Sequence, residues 1–252
     1  MKKSMIRHIA THFAERHPLH RLEAKRKLLI AGELCLPNYF RTHLEKPYPS
    51  PKEDSHHSSM TVVDFETSGF DPENDHIVSI GWVNMIKGVI KLSSAQHLII
   101  NEPNTHKTTS GNPKQQTARA LHHILPEQQK QGVSIETAMQ CFFESLPSNI
   151  LIAHGTTIEK RFLEQFFVSQ QLPKPTLVWI DTLKIEQNSI DNKAYLKDFR
   201  LATLRRRYSL PDYPAHHALM DAIATAELFL AQRKKLFRNT IAPIGILYQK
   251  SK

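Results

Sequence analysis

The stretch Val62-Val-Asp-Phe-Glu66 places two acids in an alternating pattern, within a segment rich in β-branched residues. This pattern predicts a strand over residues 60–66. Alternate residues of a strand share one face, so Asp64 and Glu66 point the same way, about 7 Å apart along the strand. The two charges repel each other unless a cation lies between them. An exposed sheet face is the alternative, but the apolar Val62 on the same face slightly favours a metal site.

A third acid follows the apolar run Ile150-Leu-Ile-Ala153, which predicts a short buried strand. Gly155 permits a tight turn after His154, and the pattern over residues 158–169 predicts a helix. Glu159 then lies in the first turn of that helix, at the mouth of the sheet. A carboxylate there also interacts favourably with the helix dipole, so a purely stabilising glutamate is an equally good interpretation.

A fourth acid, Asp221, interrupts a strongly apolar helix predicted over residues 219–235. An acid near the start of a helix can be a simple cap. His216 lies five residues earlier, on the loop that enters the helix, and an imidazole with an ordinary pKa of about 6.5 suits a general base. The alternative for His216 and for its neighbour His217 is a solvated loop residue, which we expect of one of the two.

The pattern along the chain predicts an α/β protein with a mixed sheet. Three strands come first, which is typical of an antiparallel meander, and two more alternate with helices. The predicted strands cover residues 60–66, 76–84, 88–100, 150–153 and 177–180. The predicted helices cover residues 117–123, 135–146 and 158–169, followed by three closing helical stretches.

The composition divides the chain into three parts. Residues 1–59 form a basic helical extension, with a helix around residues 28–34 and a linker rich in Pro, Ser and His over residues 46–59. Residues 60–235 form the α/β domain, and residues 236–252 form a basic C-terminal tail.

A net charge of +9 and a pI near 9.5 favour a polyanionic partner, above all nucleic acid. The two cysteines, Cys35 and Cys141, form neither a metal-ligand spacing nor a disulfide framework, which is typical of a reducing cytoplasm. No apolar run is long enough to span a bilayer, so we expect no membrane partner and a cytoplasmic location. An organelle transit peptide over residues 1–14 is the minor alternative.

In order and spacing, the three acidic motifs resemble those of the DnaQ-like, or DEDDh, 3′→5′ exonuclease family. Val63-Asp-Phe-Glu-Thr-Ser-Gly69 resembles its DxETTG motif, Ala153-His-Gly-Thr-Thr-Ile-Glu159 its AHNAxFD motif, and His216-His-Ala-Leu-Met-Asp-Ala222 its HxxxxDA motif. Leu121-His-His-Ile124 and Asp181-Thr-Leu183 resemble its HGI and DT elements. Within the family, the motifs resemble those of stand-alone bacterial exonucleases and of the epsilon proofreading subunit of the bacterial replicative polymerase.

The resemblance covers roughly residues 60–232 and implies an RNase H-like fold, with a mixed five-stranded sheet flanked by helices. It also implies two Mg²⁺ ions, which Mn²⁺ can replace, held by four carboxylates. Asp64 would bridge both ions, Glu66 and Asp221 would complete the first site, and Glu159 would serve the second.

By the same resemblance, His216 would take the proton from the attacking water. The terminal nucleotide would be bound at four positions, Phe65, Thr67, His123 and Ile158. Glu159 stands where the family usually has Asp, which keeps the charge on a longer side chain. His123 stands where the family usually has Gly, which narrows the approach of the nucleotide.

These features predict hydrolysis of single-stranded nucleic acid, DNA in preference to RNA, from a free 3′ end to release nucleoside monophosphates. One alternative is an RNA exonuclease similar to RNase T or oligoribonuclease. Another is a catalytically weak nucleic-acid-binding module of a polymerase complex, although no acid of the set is missing. The segment Gln232-Arg-Lys-Lys-Leu-Phe237 loosely resembles a sliding-clamp-binding peptide, but its spacing differs and a basic helix end is the favoured interpretation.

Overall fold

Five strands form one mixed sheet with the spatial order β3-β2-β1-β4-β5. The computed structural model describes residues 17–32, 36–101, 124–189 and 198–252. The strands are β1 (Ser59–Thr67), β2 (Ile77–Ile86), β3 (Val89–Ile99), β4 (Ile150–Ala153) and β5 (Val178–Asp181). β2 is antiparallel to both β1 and β3, whereas β4 is parallel to both β1 and β5. The predicted mixed five-stranded sheet and its antiparallel meander are confirmed.

Helices cover both faces of this sheet. Within the described ranges they are α1 (Pro18–Ala31), α2 (Asn38–Glu45), α3 (Pro126–Lys130), α4 (Ile135–Ser145), α5 (Thr157–Ser169), α6 (Thr182–Gln187), α7 (Leu201–Arg207), α8 (Ala218–Phe237) and α9 (Ile244–Lys250). On one face α2, α4 and α5 enclose an aromatic core that includes Phe40, Phe142 and Phe167. On the other face α8 and α9 pack on a core that includes Val62 and Phe229.

Local chemistry sets several of the element boundaries. Lys87 and Gly88 have φ angles of 50° and 71°, the left-handed pair that suits a two-residue hairpin between β2 and β3. Asp181, the last residue of β5, caps α6 by accepting hydrogen bonds from the N–H groups of Leu183 and Lys184. The end of β5 and the start of α6 are therefore fixed by one side chain.

The segments on both sides of the α/β domain pack into its hydrophobic cores. Phe40 of α2 and Leu247 of α9 are fully buried, and Leu19 of α1 is 1% exposed. The division of the chain into three parts stays a prediction. The flanking segments nevertheless supply core residues, because apolar side chains from them fill both layers of the protein.

The apolar pattern of the N-terminal segment predicted a helix, but it did not predict how that helix packs. Leu28 and Ile30 are 74% and 47% exposed, and the buried residues of α1 are Leu19 and Arg26. The guanidinium of Arg26 lies 2.6 Å from a carboxylate oxygen of Glu23, so an ion pair forms on the packed side of α1. The pattern also predicted neither α2 nor α9.

The helix predicted at residues 117–123, the role of His123 and the transit-peptide alternative at residues 1–14 all concern positions outside the described residues, as does Cys35. Cys141 is a free, partly buried cysteine in α4. Among the residues that the structure describes, no helix is both long enough and apolar enough to cross a membrane.

Gly81, in the middle of β2, lets α8 approach the sheet closely. A Cβ atom at this position would lie 2.1 Å from the backbone nitrogen of Leu219 and 2.2 Å from the carbonyl carbon of Ala218. Gly81 is also the register partner of Asp64 on β1. Because glycine has no side chain, the start of α8 can lie beside the acidic face of β1.

We expect Gly81→Ala to lower the free energy of unfolding by about 1–3 kcal/mol, because the added methyl group forces α8 away from the sheet. Thermal unfolding measures the loss. Ser93→Thr is the control, since it adds one methyl group at an exposed position of β3 and should change stability by less than about 0.5 kcal/mol. Equal melting temperatures for the two variants would contradict the close approach.

Candidate active site

Three carboxylates meet where β1 passes beside the start of α8. Carboxylate oxygens of Asp64, Glu66 and Asp221 all lie within 4.8 Å of one another. Asp64 and Glu66 share one face of β1, as the period of two predicted, and Asp221 lies in the first turn of α8. Oxygen donors are the ligands that hard divalent cations such as Mg²⁺ prefer.

The negative charge of this cluster is unfavourable without a counter-ion. Desolvation raises the pKa of Asp64 well above its usual range, and the charges of Glu159, Glu66 and Asp221 raise it further. Desolvation also raises the pKa of Asp221, although the His216 N–H opposes this by donating to its Oδ2 at 2.9 Å. A bound cation would favour the ionised acids and so offset both effects.

Glu159 lies near the cluster but outside the tight group of three. It is 4% exposed, and desolvation raises the pKa of its carboxyl to about 8, with the charges of Asp181 and Glu66 acting in the same direction. Its Oε2 has no hydrogen-bond partner within the described part of the chain. A buried carboxylate oxygen without a donor is suited to a cation, so the four acids fit the expected divalent metals.

The two adjacent histidines are both exposed but have different surroundings. His217 caps α8, with its Nδ1 accepting from the Met220 N–H at 3.4 Å, and its ring centre lies 4.3 Å from that of His97 on β3. His216 has a left-handed backbone, with φ 64°, and it lines a cleft of about 720 Å³ that also holds Asp64. The structure thus packs His217 locally and leaves His216 beside the acids.

The predicted substrate-binding positions differ in how accessible they are. Phe65 lies in the aromatic core on the far side of β1 and is 6% exposed, so its ring is not available to a nucleotide. The period of two that turns Asp64 toward the cleft turns Phe65 away from it. Thr67 is 7% exposed and its hydroxyl donates to the Gly69 carbonyl at 2.7 Å, while Ile158 is half-buried at the start of α5. His123 lies outside the described residues.

Asp181 organises the turn before Glu159 and was not among the predicted site residues. Its buried carboxylate accepts from the N–H groups of Gly155 and Thr156, both at 3.0 Å, in addition to capping α6. The ring of His154 bridges the Thr182 hydroxyl and the Phe199 carbonyl, both at 2.8 Å. An acid at the end of an apolar strand, directly before a helix, was the signal in the sequence.

A buried arginine fixes the loop that carries His216. Arg205 is 2% exposed, and its Nη2 donates to the Pro211 carbonyl and to the Glu227 carboxylate, both at 2.7 Å. Its guanidinium lies 4.5 Å from the ring centre of Tyr213, whose hydroxyl also donates to Glu227, at 2.9 Å. The loop is therefore tied to both α7 and α8.

The motifs and their geometry agree with a known family. The model of the RNase T exonuclease family matches residues 61–229 of this chain. The chain belongs to this exonuclease family. The matched residues hold Asp64, Glu66, Glu159 and Asp221, but they include neither α1 nor α9.

The curated relatives of this exonuclease-family chain include much longer proteins. DNA polymerase III PolC-type proteins of Thermotoga petrophila and Streptococcus pyogenes are 27% and 26% identical to it over 173 and 175 residues. Each alignment covers 69% of this chain but only 12% and 11% of those proteins. The chain therefore spans a small fraction of the length of these relatives.

Solved structures of exonucleases share the fold. E. coli Exonuclease I in complex with a dA16 oligonucleotide aligns with a TM-score of 0.60 and 14% identity, over 76% of this chain and 42% of that one. Exonuclease X in complex with 5′-overhanging duplex DNA aligns at 0.54 and 20%, over 75% and 99%. The nuclease domain of 3′hExo, a DEDDh family member bound to rAMP, aligns at 0.58 and 15%, over 73% and 96%. The expected RNase H-like fold is confirmed.

The raised pKa of Glu159 predicts how the stability of the metal-free protein changes with pH. A carboxyl whose pKa is about 8 in the folded state, against 4.5 ordinarily, binds more protons when folded, so stability rises as the pH falls through that window. In EDTA we expect the melting temperature to rise as the pH is lowered from about 8.5 to about 7. Added Mg²⁺ or Mn²⁺ should raise it more at the higher pH, where the acids are ionised.

This pH range avoids the buried His43 and His17, whose pKa values are lowered by burial and which therefore act in the opposite direction at lower pH. Thermal unfolding at each pH supplies the measurement. Glu159→Gln removes the titrating group, so its profile should be flatter than that of the wild type. Superimposable profiles would show that Glu159 does not have the raised pKa.

Proposed function

We propose that this chain is a divalent-metal-dependent 3′→5′ exonuclease that releases nucleoside monophosphates from single-stranded nucleic acid, preferably DNA. The observation that carries the proposal is the cluster of Asp64, Glu66 and Asp221, with oxygens within 4.8 Å of one another, in a chain of the exonuclease family. The alternative is a catalytically weak binding module. Such a module does not require a cluster of carboxylates that repel one another.

The donor set suits two Mg²⁺ ions, with Mn²⁺ as a substitute, because all four side chains offer hard oxygen ligands. Asp64, Glu66 and Asp221 would hold the cations where their oxygens meet, and the buried Glu159 beside them would add a fourth carboxylate. When bound, the cations supply stabilisation of the negative charge that develops on the phosphate oxygens. Glu159 keeps the charge that Asp provides at this position in other members of the family.

His216 is the general base in this proposal. Its imidazole lines the cleft of Asp64 and Asp221, and one ring nitrogen accepts the proton of the attacking water. The backbone N–H of His216 donates to Asp221 at 2.9 Å, and Arg205 holds the same loop through Pro211. These contacts fix the position of His216 relative to the acids. The loop therefore loses little conformational entropy when the transition state forms.

The cleft suits the 3′ end of a polyanionic strand. Arg206 is among the residues that line it and carries positive charge, whereas the charge of Arg200, also in the lining, is paired with Asp198 at 2.7 Å. Thr67 and Ile158 are the proposed contacts of the terminal nucleotide, and Phe65 takes part only through its backbone. DNA as substrate is supported by relatives named DNA polymerase III, whereas RNA is the second candidate because a structural neighbour is bound to rAMP.

Association with a DNA polymerase is supported by the names of the PolC-type relatives. The segment 232–237 does not add to this support. Gln232 is 1% exposed and its amide donates to the Thr182 carbonyl at 2.9 Å, so it is a core residue of α8. We also propose a cytoplasmic location, where the DNA on which such a polymerase acts would be found.

The proposal is tested with single-stranded DNA and RNA labelled at the 5′ end, in Mg²⁺, Mn²⁺ or EDTA. We expect stepwise shortening with mononucleotide products, and no cleavage in EDTA. Glu66→Gln should abolish cleavage, whereas Glu73→Gln, the same change at an exposed residue outside the cluster, should leave it intact. Cutting of a closed single-stranded circle, or full activity of Glu66→Gln, would refute the proposal.

The adjacent histidines allow a matched test of the general base. Asn tolerates a left-handed backbone and can cap a helix, so His216→Asn and His217→Asn preserve the local structure. His216→Asn should lower kcat by about 10²–10⁴-fold while substrate binding is retained, because only the proton acceptor is lost. His217→Asn should lower kcat by less than about tenfold. Steady-state kinetics decide, and an equal or larger loss at His217 would assign the base to that residue instead.

A further inference from the structure

A second groove, larger than the cleft of the acids, lies along β5 at one edge of the sheet. Its volume is about 1030 Å³. One wall is formed by Leu22, Lys25, Leu28 and Leu29 of α1, and the opposite wall is formed by α5 and the segment that leads into β5. The N-terminal segment, which lies outside the family match, therefore completes this groove.

The groove carries an excess of positive charge. Six basic residues are among those that line it: Lys25, Lys160, Arg161, Lys174, Lys184 and Lys252. Two acids are also present, but Glu164 pairs with Lys174 at 3.0 Å, and Asp181 is buried and accepts hydrogen bonds from backbone N–H groups. Within the described ranges no ion pair forms at Lys25, Lys160 or Lys184. Low-dielectric walls focus such charge and attract polyanions.

The groove and the cleft of the acids adjoin at two turns. His154 lines the cleft and Thr156 lines the groove, and in the same way Leu183 lines the cleft and Lys184 lines the groove. Gly155 lies between the first pair, with φ 81°, and the Asp181 carboxylate holds this turn by accepting from the Gly155 N–H at 3.0 Å. The groove and the cleft are therefore neighbours on the protein, with these two turns between them.

We infer that the groove binds the sugar–phosphate backbone of the substrate strand, on the 5′ side of the nucleotide being removed. The inference rests on the proposed function, because the strand in the groove is the one whose 3′ end occupies the cleft. Lysines that track a backbone recognise phosphate irrespective of base sequence. An acidic protein segment is also polyanionic, but the position of the groove beside the cleft of the acids favours the nucleic acid.

The test changes one lysine on each wall. Binding of a 5′-fluorescein single strand of about 20 nucleotides is measured by fluorescence anisotropy in EDTA, so that no cleavage occurs. For Lys25→Gln/Lys160→Gln we expect an affinity lower by on the order of tenfold at about 0.1 M salt. The plot of log K against log salt should become shallower by about 1.4, since each phosphate contact of a single strand contributes about 0.7.

The matched control is Lys91→Gln/Lys130→Gln, which removes the same charge at exposed lysines that do not line the groove. Its affinity should stay within about twofold of the wild type, with less change in the salt slope. An unchanged affinity and slope in the groove variant, or an equal loss in the control, would overturn the inference.

A minimal substrate separates this inference from the proposed function. The p-nitrophenyl ester of thymidine 5′-monophosphate is too short to reach the groove, so the groove variant should hydrolyse it like the wild type while its KM for the long strand rises. If the wild type hydrolyses neither substrate, the proposed function fails, and anisotropy still tests the groove. If polyglutamate binding is lost in the variant while oligonucleotide binding is unchanged, the groove belongs to an acidic protein and the inference is wrong.

Discussion

Three carboxylates within 4.8 Å of one another repel, and the rest of the fold supplies what keeps them together. The acids do not hold one another. Asp221 is brought to β1 by α8, and α8 is held on the sheet by apolar contacts such as those of Phe229 with the core around Val62. Because Gly81 has no side chain, α8 can approach the sheet closely. The site is therefore stabilised by packing some distance away from its charged groups.

A layer of buried polar side chains then fixes the loops around the acids. The Asp181 carboxylate accepts hydrogen bonds from N–H groups of the turn before Glu159 and of the start of α6, so that one side chain aligns two elements. Arg205 does the same for the loop of His216, by contacting both Pro211 and Glu227. Each of these buried charges has several partners, which is the condition under which such groups order a structure.

Properties that depend on neighbours in the chain were predictable from the sequence. The period of two placed Asp64 and Glu66 on one face, and the apolar runs gave the five strands. The same period places Phe65 in the core, against the role suggested for it by resemblance. Spacing alone separated His216 from His217, and their different surroundings agree with that choice.

Properties that depend on distant parts of the chain were not predictable. Nothing near Gly81 in the sequence indicates that α8 will contact it. The burial of Arg26 depends on Glu23 and on the Leu44 carbonyl of the next helix, so hydrophobic periodicity did not indicate how α1 packs. These contacts arise only when the whole chain is folded, and a one-dimensional pattern does not contain them.

The packing of Phe40 bears on how far the catalytic unit is separable from its flanks. Its ring centre lies 4.6 Å from that of Phe167 and 6.0 Å from that of Phe143. The N-terminal and C-terminal flanking segments also contact each other, because the His17 ring lies 3.2 Å from the Gly245 carbonyl oxygen. Excision of residues 61–229 would uncover these apolar surfaces. The family match thus covers the residues of the active site, whereas the unit that folds together extends beyond residues 61–229 at both ends. Transplanting the nuclease into another protein would require its flanking helices to travel with it.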